Sequence, residues 1–254
     1  MGTIIAIVNQ KGGVAKTTTA INLSASLGKL GKKVLLVDLD PQGNATTGYG
    51  VSKRALEHTT YEVLMGEVRP IEAVVSTDFK NVDIIPATQL LAEAEVRLLQ
   101  FENKTLQLRK ALVQIKDSYD IVIVDCLPSL GVLALNGISA CDSIVIPMQC
   151  EPYSLEGVAE LFTTVKRVKS SSNRHVKVLG IIFTMLDKRL MVNRDVMNNI
   201  REKFPEDIIF KTEIPRNVRI AEAPSHGEPI IYYDSSSKGA AAYLRLAKEV
   251  LEKI

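Results

Sequence analysis

Short apolar runs alternate with longer amphipathic segments along most of the chain. The apolar runs are rich in isoleucine and valine and are continuous, a pattern typical of parallel strands covered on both faces. They predict strands at residues 4–8, 34–37, 82–85, 121–124, 143–146 and 178–184. The amphipathic segments predict helices near residues 17–30, 89–99, 104–117, 131–140, 154–169, 192–204 and 239–253. This alternation favours an α/β fold with a doubly wound, mainly parallel sheet.

Length and composition add limits to this prediction. The chain has 254 residues, no internal repeat and no long linker, so we expect a single domain over residues 1–254. No stretch reaches the roughly 18 consecutive apolar residues of a membrane span, and the N-terminus lacks the charged region of a signal peptide. Cys126, Cys141 and Cys150 show no CxxC spacing, which favours neither a disulfide framework nor a zinc site. We therefore expect a reduced, cytoplasmic compartment.

A glycine-rich segment follows the first predicted strand and runs into a helix. It reads NQKGGVAKTTT over residues 9–19. Backbone N–H groups at such a helix start bind phosphate, so we expect Lys16 to reach the β and γ phosphates of a nucleotide and Thr17 to ligate Mg²⁺. The strict pattern GxxxxGK(S/T) fails, because Gln10 and Ala15 stand where that pattern has glycine. On this segment alone, an ordinary glycine-rich turn remains the alternative.

Three aspartates end two further predicted strands. Asp38 and Asp40 end the second strand, and Asp125 ends the fourth. Ligands of such sheets bind outside the carboxyl ends of the strands, so these side chains are expected near the glycine-rich loop. One carboxylate of the pair would hold a metal while the other orients water, and Asp125 suits Mg²⁺ contact. Each aspartate alone could be a cap or a turn residue, but together they predict a nucleotide and metal site.

Five segments resemble the ParA/Soj family of chromosome and plasmid partitioning ATPases. This family is part of the deviant Walker A group of P-loop NTPases, which includes MinD and the nitrogenase iron protein. The segments are KGGVAKTTTAINL (11–23), VLLVDLDPQGNAT (34–46), YDIVIVDCLPSLG (119–131), IPMQCEPYSLEG (146–157) and IPRNVRIAEAPSHG (214–227). Two positions depart from the common family pattern, which reads KGGVGKTT and DCPPS: this chain has Ala15 and Leu127. If φ at Ala15 is negative and the space suffices, the loop still works; if not, the methyl group crowds the phosphate and nucleotide affinity falls.

The resemblance implies roles for individual residues in an ATPase that uses ATP and Mg²⁺. It makes Lys11, Lys16 and Asp40 catalytic: Lys11 reaches across an ATP-sandwich homodimer to the partner's nucleotide, and Asp40 positions the hydrolytic water. The metal would be held, in part through water, by Thr17, Asp40 and Asp125. The nucleotide-binding residues would be Lys11, Gly12, Gly13, Val14, Ala15, Lys16, Thr17 and Thr18 in the loop, with Pro215, Arg216 and Asn217 near the adenine.

Basic residues are concentrated in the second half of the chain. The net charge is only +2, but residues 166–177 carry five basic side chains and no acidic one, and residues 188–219 carry eight basic against five acidic. Solvated helix faces remain the alternative explanation. The resemblance implies that the ATP-bound dimer binds double-stranded DNA nonspecifically, at the nucleoid, and that a ParB/Spo0J-type partner stimulates hydrolysis. By the same resemblance, the DNA-binding residues would be Lys188, Arg189, Arg216 and Arg219.

Two other members of the group supply competing interpretations. A MinD-like ATPase that cycles on membranes needs a basic amphipathic C-terminal helix. Residues 243–254 are amphipathic, but their charges are mixed and their apolar face is predicted to point to the core, so we expect no stable membrane binding. A redox carrier like the nitrogenase iron protein needs two cysteines per subunit at a dimer axis. The chain has three, but the residues around them match the partition family.

Overall fold

The computed structural model describes residues 2–152 and 154–254. Within them, seven strands form one sheet in the order β3-β4-β2-β5-β1-β6-β7. All neighbours pair in parallel except the edge strand β3, which is antiparallel to β4. The six strands predicted from sequence are confirmed, whereas β3 was not predicted. The strands are β1 (Thr3–Ile7), β2 (Val34–Leu39), β3 (Val75–Ser76), β4 (Val82–Ile85), β5 (Ile121–Cys126), β6 (Ser143–Gln149) and β7 (Lys177–Thr184).

Eleven helices connect these strands in the described part of the chain. They are α1 (Lys16–Lys29), α2 (Asn44–Gly48), α3 (Thr60–Met65), α4 (Leu91–Leu98), α5 (Gln107–Leu112), α6 (Val132–Ala140), α7 (Ser154–Ser171), α8 (Met191–Lys203), α9 (Val218–Glu222), α10 (Ile230–Tyr233) and α11 (Lys238–Lys253). The helix predicted over 104–117 is shorter, because α5 ends at Leu112 and only a 3₁₀ turn follows at Lys116–Ser118. The helices α2, α3, α9 and α10 span one or two turns and were not predicted.

Two hydrophobic clusters cover the two faces of the sheet. In β1, Ile4 and Ala6 belong to one cluster while Ile5 and Ile7 belong to the other, as the pleat of a strand requires. Helices α3 to α8 contribute to the first cluster, and α1, α10 and α11 to the second. Burial on both faces explains why the strands read as unbroken apolar runs, and the predicted doubly wound α/β architecture is confirmed.

Helix α11 packs against α1, the helix that follows the glycine-rich loop. Tyr243, Leu246, Ala247 and Val250 of α11 are fully buried. The Tyr243 hydroxyl lies 3.4 Å from the hydroxyl of Thr19 in α1. The prediction that this apolar face points to the core is therefore confirmed. Among the helices that the structure describes, not one combines the length and the apolar character needed to cross a membrane.

The strand order reverses at β1. Strands β2 and β5 lie on one side of it, and β6 and β7 lie on the other. In open α/β sheets such a reversal leaves a crevice outside the carboxyl ends of the strands, where ligands bind. The glycine-rich loop leaves β1 at this crevice.

Candidate nucleotide-binding site

The loop over residues 9–15 joins β1 to α1 and curls around the side chain of Lys16. The Lys16 ammonium donates to the carbonyl of Lys11 at 2.8 Å, and the side chain is buried. Burial lowers the pKa of Lys16, and the carboxylate of Asp125 acts against that shift. Gly13 and Ala15 have positive φ values of 74° and 67°. A loop of this shape at a helix start aims backbone N–H groups and a cation at one point, which suits a phosphate.

Hydrogen bonds from three polar side chains hold the loop in place. The Thr184 hydroxyl at the end of β7 donates to the carbonyl of Val14 at 3.0 Å. The Gln149 amide at the end of β6 donates to the carbonyl of Gly13 at 3.2 Å. Asn9 accepts a hydrogen bond from the Lys11 N–H at 3.0 Å. Sequence reasoning missed these residues, and their positions at strand ends were the only signal.

The aspartates occupy two different environments. The register of β2 and β5 places Asp38 opposite Asp125, and both are fully buried. Asp38 accepts the Asp40 N–H at 3.2 Å and both the N–H and the hydroxyl of Thr46, at 2.8 and 2.7 Å. Asp38 therefore braces the segment that carries Asp40. This corrects the expectation that Asp38 and Asp40 would share the metal and the water between them.

Asp125 lies beneath the loop with no hydrogen-bond partner for either carboxylate oxygen among the described residues. A buried carboxylate left in this state is costly unless a cation or a donor meets it. Burial raises the pKa of Asp125 well above its usual range, with a further contribution from Asp38, while Thr17 and Lys16 oppose the shift. Burial likewise raises the pKa of Asp38 to about 6, against the hydrogen bonds that it accepts. A cation bound beside Asp125 would lower the pKa of both carboxyl groups, Asp38 and Asp125, and so favour their ionised forms.

These oxygen donors fit magnesium. Thr17 is close enough to influence Asp125, and Asp40 is buried at the end of β2 on the neighbouring strand. Within residues 2–152 and 154–254, no group of three or more His, Cys, Asp or Glu side chains is placed to hold a metal by itself. Mg²⁺ commonly takes one or two carboxylates together with waters and substrate phosphates. A magnesium ion that arrives with a nucleotide therefore matches this set better than a resident metal.

Lys11 points out of the loop toward the surface. Its ammonium forms an ion pair with Glu151 at 2.7 Å, and the two side chains are 37% and 51% exposed. Gly12 and Gly13 are exposed beside it. The cation that was predicted to act across a dimer is therefore held by a carboxylate of its own chain, at the protein surface.

A cavity of about 450 Å³ opens on the other side of the loop. Residues of the loop and α1 meet the predicted adenine-binding segment there, because a β-bridge pairs Leu186 with Pro215. Asn217 caps α9 by accepting the Arg219 N–H at 2.8 Å. This volume is typical of small-molecule pockets. The lining includes Ala15, Thr18, Thr184, Met185, Pro215, Arg216 and Asn217.

The predicted DNA-binding residues lie at the surface on this edge of the sheet. Arg189 is 89% exposed in the connection between β7 and α8, as predicted, and Arg216 is exposed at the adenine-side cavity. Three of these cations are already paired within the chain. The pairs are Lys188 with Glu213 at 2.5 Å, Arg189 with Asp187 at 2.6 Å, and Arg219 with Glu222 at 3.0 Å and Asp234 at 3.3 Å.

The three cysteines lie in the interior. Cys126, Cys141 and Cys150 are free and buried, and burial raises the pKa of each thiol. Thiolates that bridge a cluster between two subunits must reach the subunit surface. These thiols do not reach it, which argues against the redox-carrier alternative. Leu127, which follows Cys126, is also buried in the core.

A parallel sheet with a lysine-bearing glycine-rich loop at its switch point and buried aspartates on adjoining strands defines a P-loop nucleoside-triphosphate-binding protein. The model of the AAA domain family matches residues 2–178. Sporulation initiation inhibitor protein Soj of Bacillus subtilis is 50% identical over 250 residues, which are 98% of each chain. Chromosome partitioning protein ParA of Caulobacter vibrioides is 43% identical over 98% of this chain and 94% of its own. The chain belongs to the ParA/Soj family of P-loop ATPases.

A solved structure extends the likeness to the whole fold. Cobyrinic acid a,c-diamide synthase from Mycobacterium smegmatis, with bound ADP and magnesium, superposes with a TM-score of 0.88 at 38% identity. The match covers 99% of this chain and 95% of that chain. The arrangement of strands and helices described above is therefore shared with a protein that holds a nucleotide and a magnesium ion.

Proposed function

We propose that the protein is an Mg²⁺-dependent ATPase that partitions chromosomal or plasmid DNA. It binds ATP, forms a face-to-face homodimer and then binds double-stranded DNA without sequence preference. A ParB/Spo0J-type partner stimulates hydrolysis and returns the protein to its monomeric form. The observation that carries the proposal is that, among the described residues, neither carboxylate oxygen of buried Asp125 has a hydrogen-bond partner, beside a loop that is closed around Lys16. The partitioning names of the relatives, and ADP and magnesium in a solved structure of the same fold, support it. We place this activity in the cytoplasm, at the nucleoid.

Nucleotide binding uses groups that the loop already gathers. The N–H groups over residues 12–18 meet the phosphates, and Lys16 exchanges the Lys11 carbonyl for phosphate oxygens. Thr17, Asp40 and Asp125 would hold magnesium, which neutralises phosphate charge when bound. The base would occupy the cavity beside Pro215 to Asn217.

Hydrolysis requires a positioned water and a cation on the leaving side of the phosphate chain. Asp40 lies at the carboxyl end of β2, where its carboxylate orients a water. Lys11 supplies the cation to the nucleotide of a second subunit once it leaves Glu151. An exposed ion pair of this kind is worth at most about 1 kcal/mol, so dimer contacts easily displace it.

DNA binding follows from placing two basic surfaces side by side. The residues Lys188, Arg189, Arg216 and Arg219 lie on the edge of the sheet that bears the nucleotide site. A monomer presents this surface once, and its carboxylate pairs compete with phosphates. Dimerisation doubles the number of phosphate contacts, and each contact releases counterions from the DNA. An ATP-controlled dimer therefore acts as a switch for DNA binding despite a net charge of only +2.

The substitution Asp40→Ala tests this function. We expect ATP still to bind, because the loop, Lys16, Thr17 and Asp125 are intact, and hydrolysis to be slower by roughly 10²–10⁴-fold. A long-lived ATP dimer is expected on sizing chromatography. The matched control is Asp117→Ala, which removes an exposed carboxylate from the turn before β5. We expect this variant to behave as the wild type. Normal phosphate release with rapid return to monomer would remove Asp40 from this role, and the absence of any ATP-dependent dimer in the wild type would refute the switch itself.

A further inference from the structure

The turn that carries Asp40 connects β2 to α2. It consists of residues 40–43, and we call it the Asp40 turn. The Gly43 N–H donates to the Asp40 carbonyl at 2.8 Å and closes the turn. The Gln42 N–H donates to the Asp40 carboxylate at 2.9 Å. The direction of that carboxylate therefore depends on where the turn places the Gln42 amide.

A lysine from outside the Asp40 turn holds the peptide group between Gln42 and Gly43. The Lys53 ammonium donates to the Gln42 carbonyl at 2.6 Å. That carbonyl and the Gly43 N–H belong to one planar peptide unit, so a contact that fixes one of them orients the other. Lys53 is thus linked to Asp40 in two ways, through the hydrogen bond that closes the turn and through the Gln42 N–H that meets the carboxylate.

The packing at Gly43 shows how closely Lys53 fits the Asp40 turn. Gly43 has φ 59°, in the left-handed region. A Cβ atom built there would lie 2.6 Å from Cε of Lys53 and 2.5 Å from the carbonyl oxygen of Ala87. These distances are too short for a side-chain atom, so the position requires glycine for space as well as for φ. The end of the Lys53 side chain therefore packs directly on the backbone of the turn.

The usual electrostatic reasons do not explain the position of Lys53. The residue is half-buried and begins the 3₁₀ turn Lys53–Ala55. In the part of the chain that the structure describes, its ammonium forms no ion pair. A cation gains stability at the carbonyl end of a helix, but Lys53 packs on Gly43, which precedes the first residue of α2. Lysine ordinarily extends its ammonium into water, whereas here it is directed onto a carbonyl of the Asp40 turn.

The backbone and the side chain of Asp40 are held by different groups. The turn is closed by its own hydrogen bond, and Asp38 accepts the Asp40 N–H at 3.2 Å. These contacts fix the backbone of residue 40, whereas among the described residues it is Gln42 that donates to the carboxylate. A group that positions a reactant loses rate steeply when it is displaced, on the order of 100-fold for about 1 Å. The contact from Lys53 acts on the residue that sets this placement.

We propose that Lys53 is a positioning residue for ATP hydrolysis. It holds the peptide between Gln42 and Gly43, so that the Gln42 N–H keeps the Asp40 carboxylate directed at the attacking water. Lys53 acts through Asp40 and does not itself touch the reacting atoms. The inference rests on the proposed function, because it needs Asp40 to orient that water.

Single-turnover hydrolysis at saturating ATP and magnesium tests this proposal on the full chain. Lys53→Met keeps an unbranched side chain that packs on Gly43 but removes the donor to Gln42. We expect hydrolysis per bound ATP to fall by roughly 10–100-fold. ATP should still bind and the ATP dimer should still form, because the phosphate loop is unchanged. The loss should therefore appear in kcat rather than in KM.

The matched control for Lys53→Met is Arg54→Met. It removes an exposed cation from the same 3₁₀ turn, and Arg54 forms no ion pair among the described residues. We expect Arg54→Met to hydrolyse bound ATP at the wild-type rate, so that a difference between the two variants reports the contact with the Asp40 turn and not the lost charge.

A double-mutant cycle distinguishes positioning from direct action on the phosphate. In the Asp40→Ala background, Lys53→Met should cause no further loss, because the carboxylate that Lys53 positions is absent. An equal loss in both backgrounds would show that Lys53 acts on the phosphate without Asp40, and would overturn the proposal. Hydrolysis by Lys53→Met at the rate of the control would also overturn it. So would loss of the ATP dimer in Lys53→Met, since Lys53 would then serve a contact between subunits.

The same measurements separate this proposal from the proposed function. The role of Asp40 fails if Asp40→Ala by itself hydrolyses ATP at the wild-type rate. The role of Lys53 fails by itself if Asp40→Ala is slow while Lys53→Met, with Asp40 intact, matches the control.

Discussion

Ala15 is held in a backbone conformation that suits glycine. Its φ and ψ are 67° and 37°, in the left-handed region, at the start of α1. An alanine in this region costs roughly 1–2 kcal/mol, which glycine avoids. Against this gain, glycine lowers the free energy of unfolding by roughly 0.5–1 kcal/mol, because its unfolded chain has more conformational freedom. We therefore expect Ala15→Gly to raise the free energy of unfolding by about 0.5–1 kcal/mol.

The thermal midpoint measures this gain without any ligand. For a chain of this size, about 1 kcal/mol corresponds to a shift of roughly 2–4 °C. The φ of Ala15 is positive, the case for which the sequence predicted lower nucleotide affinity. The structure shows backbone strain there, and on that ground we expect Ala15→Gly to change ATP affinity, measured by isothermal titration, by less than about twofold. The reason is that the backbone strain at residue 15 is already present without ATP. The glycine removes it equally from the free and the ATP-bound protein, so the difference between the two states does not change. A clear increase in affinity would mean that the alanine methyl group crowds the phosphate.

Gly13→Ala is the reciprocal control. Gly13 has φ 74°, and a methyl group built there would meet no atom within 4 Å. Only backbone strain therefore separates the two residues at this position. We expect Gly13→Ala to lower the free energy of unfolding by about the amount that Ala15→Gly raises it. Destabilisation by Ala15→Gly, or no effect of Gly13→Ala, would refute the strain argument.

Three other predictions concern the aspartates and the DNA surface. Thr46→Val removes the hydroxyl that donates to buried Asp38 and accepts the Ala87 N–H. It should lower the free energy of unfolding, measured in urea, by about 1–3 kcal/mol, while Thr46→Ser retains most of that stability. Because the pKa of Asp38 is raised to about 6, the folded state binds more protons than the unfolded state between about pH 4 and 6. The contribution of Asp38 to stability should therefore fall as pH rises through this window, and Asp38→Asn should flatten that part of the slope. Arg189→Glu should lower the salt slope of ATP-dependent DNA binding by roughly 1.8, one contact per subunit of the dimer, with dimerisation unchanged. An unchanged slope would remove Arg189 from the DNA surface.

The main features of the sheet were predictable because its strands are buried on both faces. Each core strand leaves an unbroken run of isoleucine and valine, and six such runs were enough to fix the fold class. The loop and the aspartates at strand ends were predictable because the carboxyl ends of parallel strands lie at one edge. The two-residue strand β3 and the one-turn helices leave no periodicity to detect.

The contacts that hold the site together were not predictable, because they join distant parts of the chain. Thr184 and Val14 are 170 positions apart, and Gln149 and Gly13 are 136 apart. The pairing of Lys11 with Glu151 is of the same kind. The different roles of Asp38 and Asp40 depend on Thr46, whose hydrogen bonds local spacing does not reveal. The positive φ of Ala15 contradicts the usual preference of alanine, so the residue type alone argued against it.

The packing of α11 on α1 has a consequence for how the protein is made. Thr19 and Tyr243, which face each other across this contact, are 224 positions apart in the chain. At about 5–20 residues per second, a ribosome needs roughly 11–45 s to synthesise the intervening chain. During that time the side of α1 that later packs on α11 stays uncovered, whereas its sheet side can already pack on β1 and β2. Nascent chains are therefore exposed to aggregation until translation passes residue 250, and messages cut short before that point should yield protein that chaperones and proteases remove.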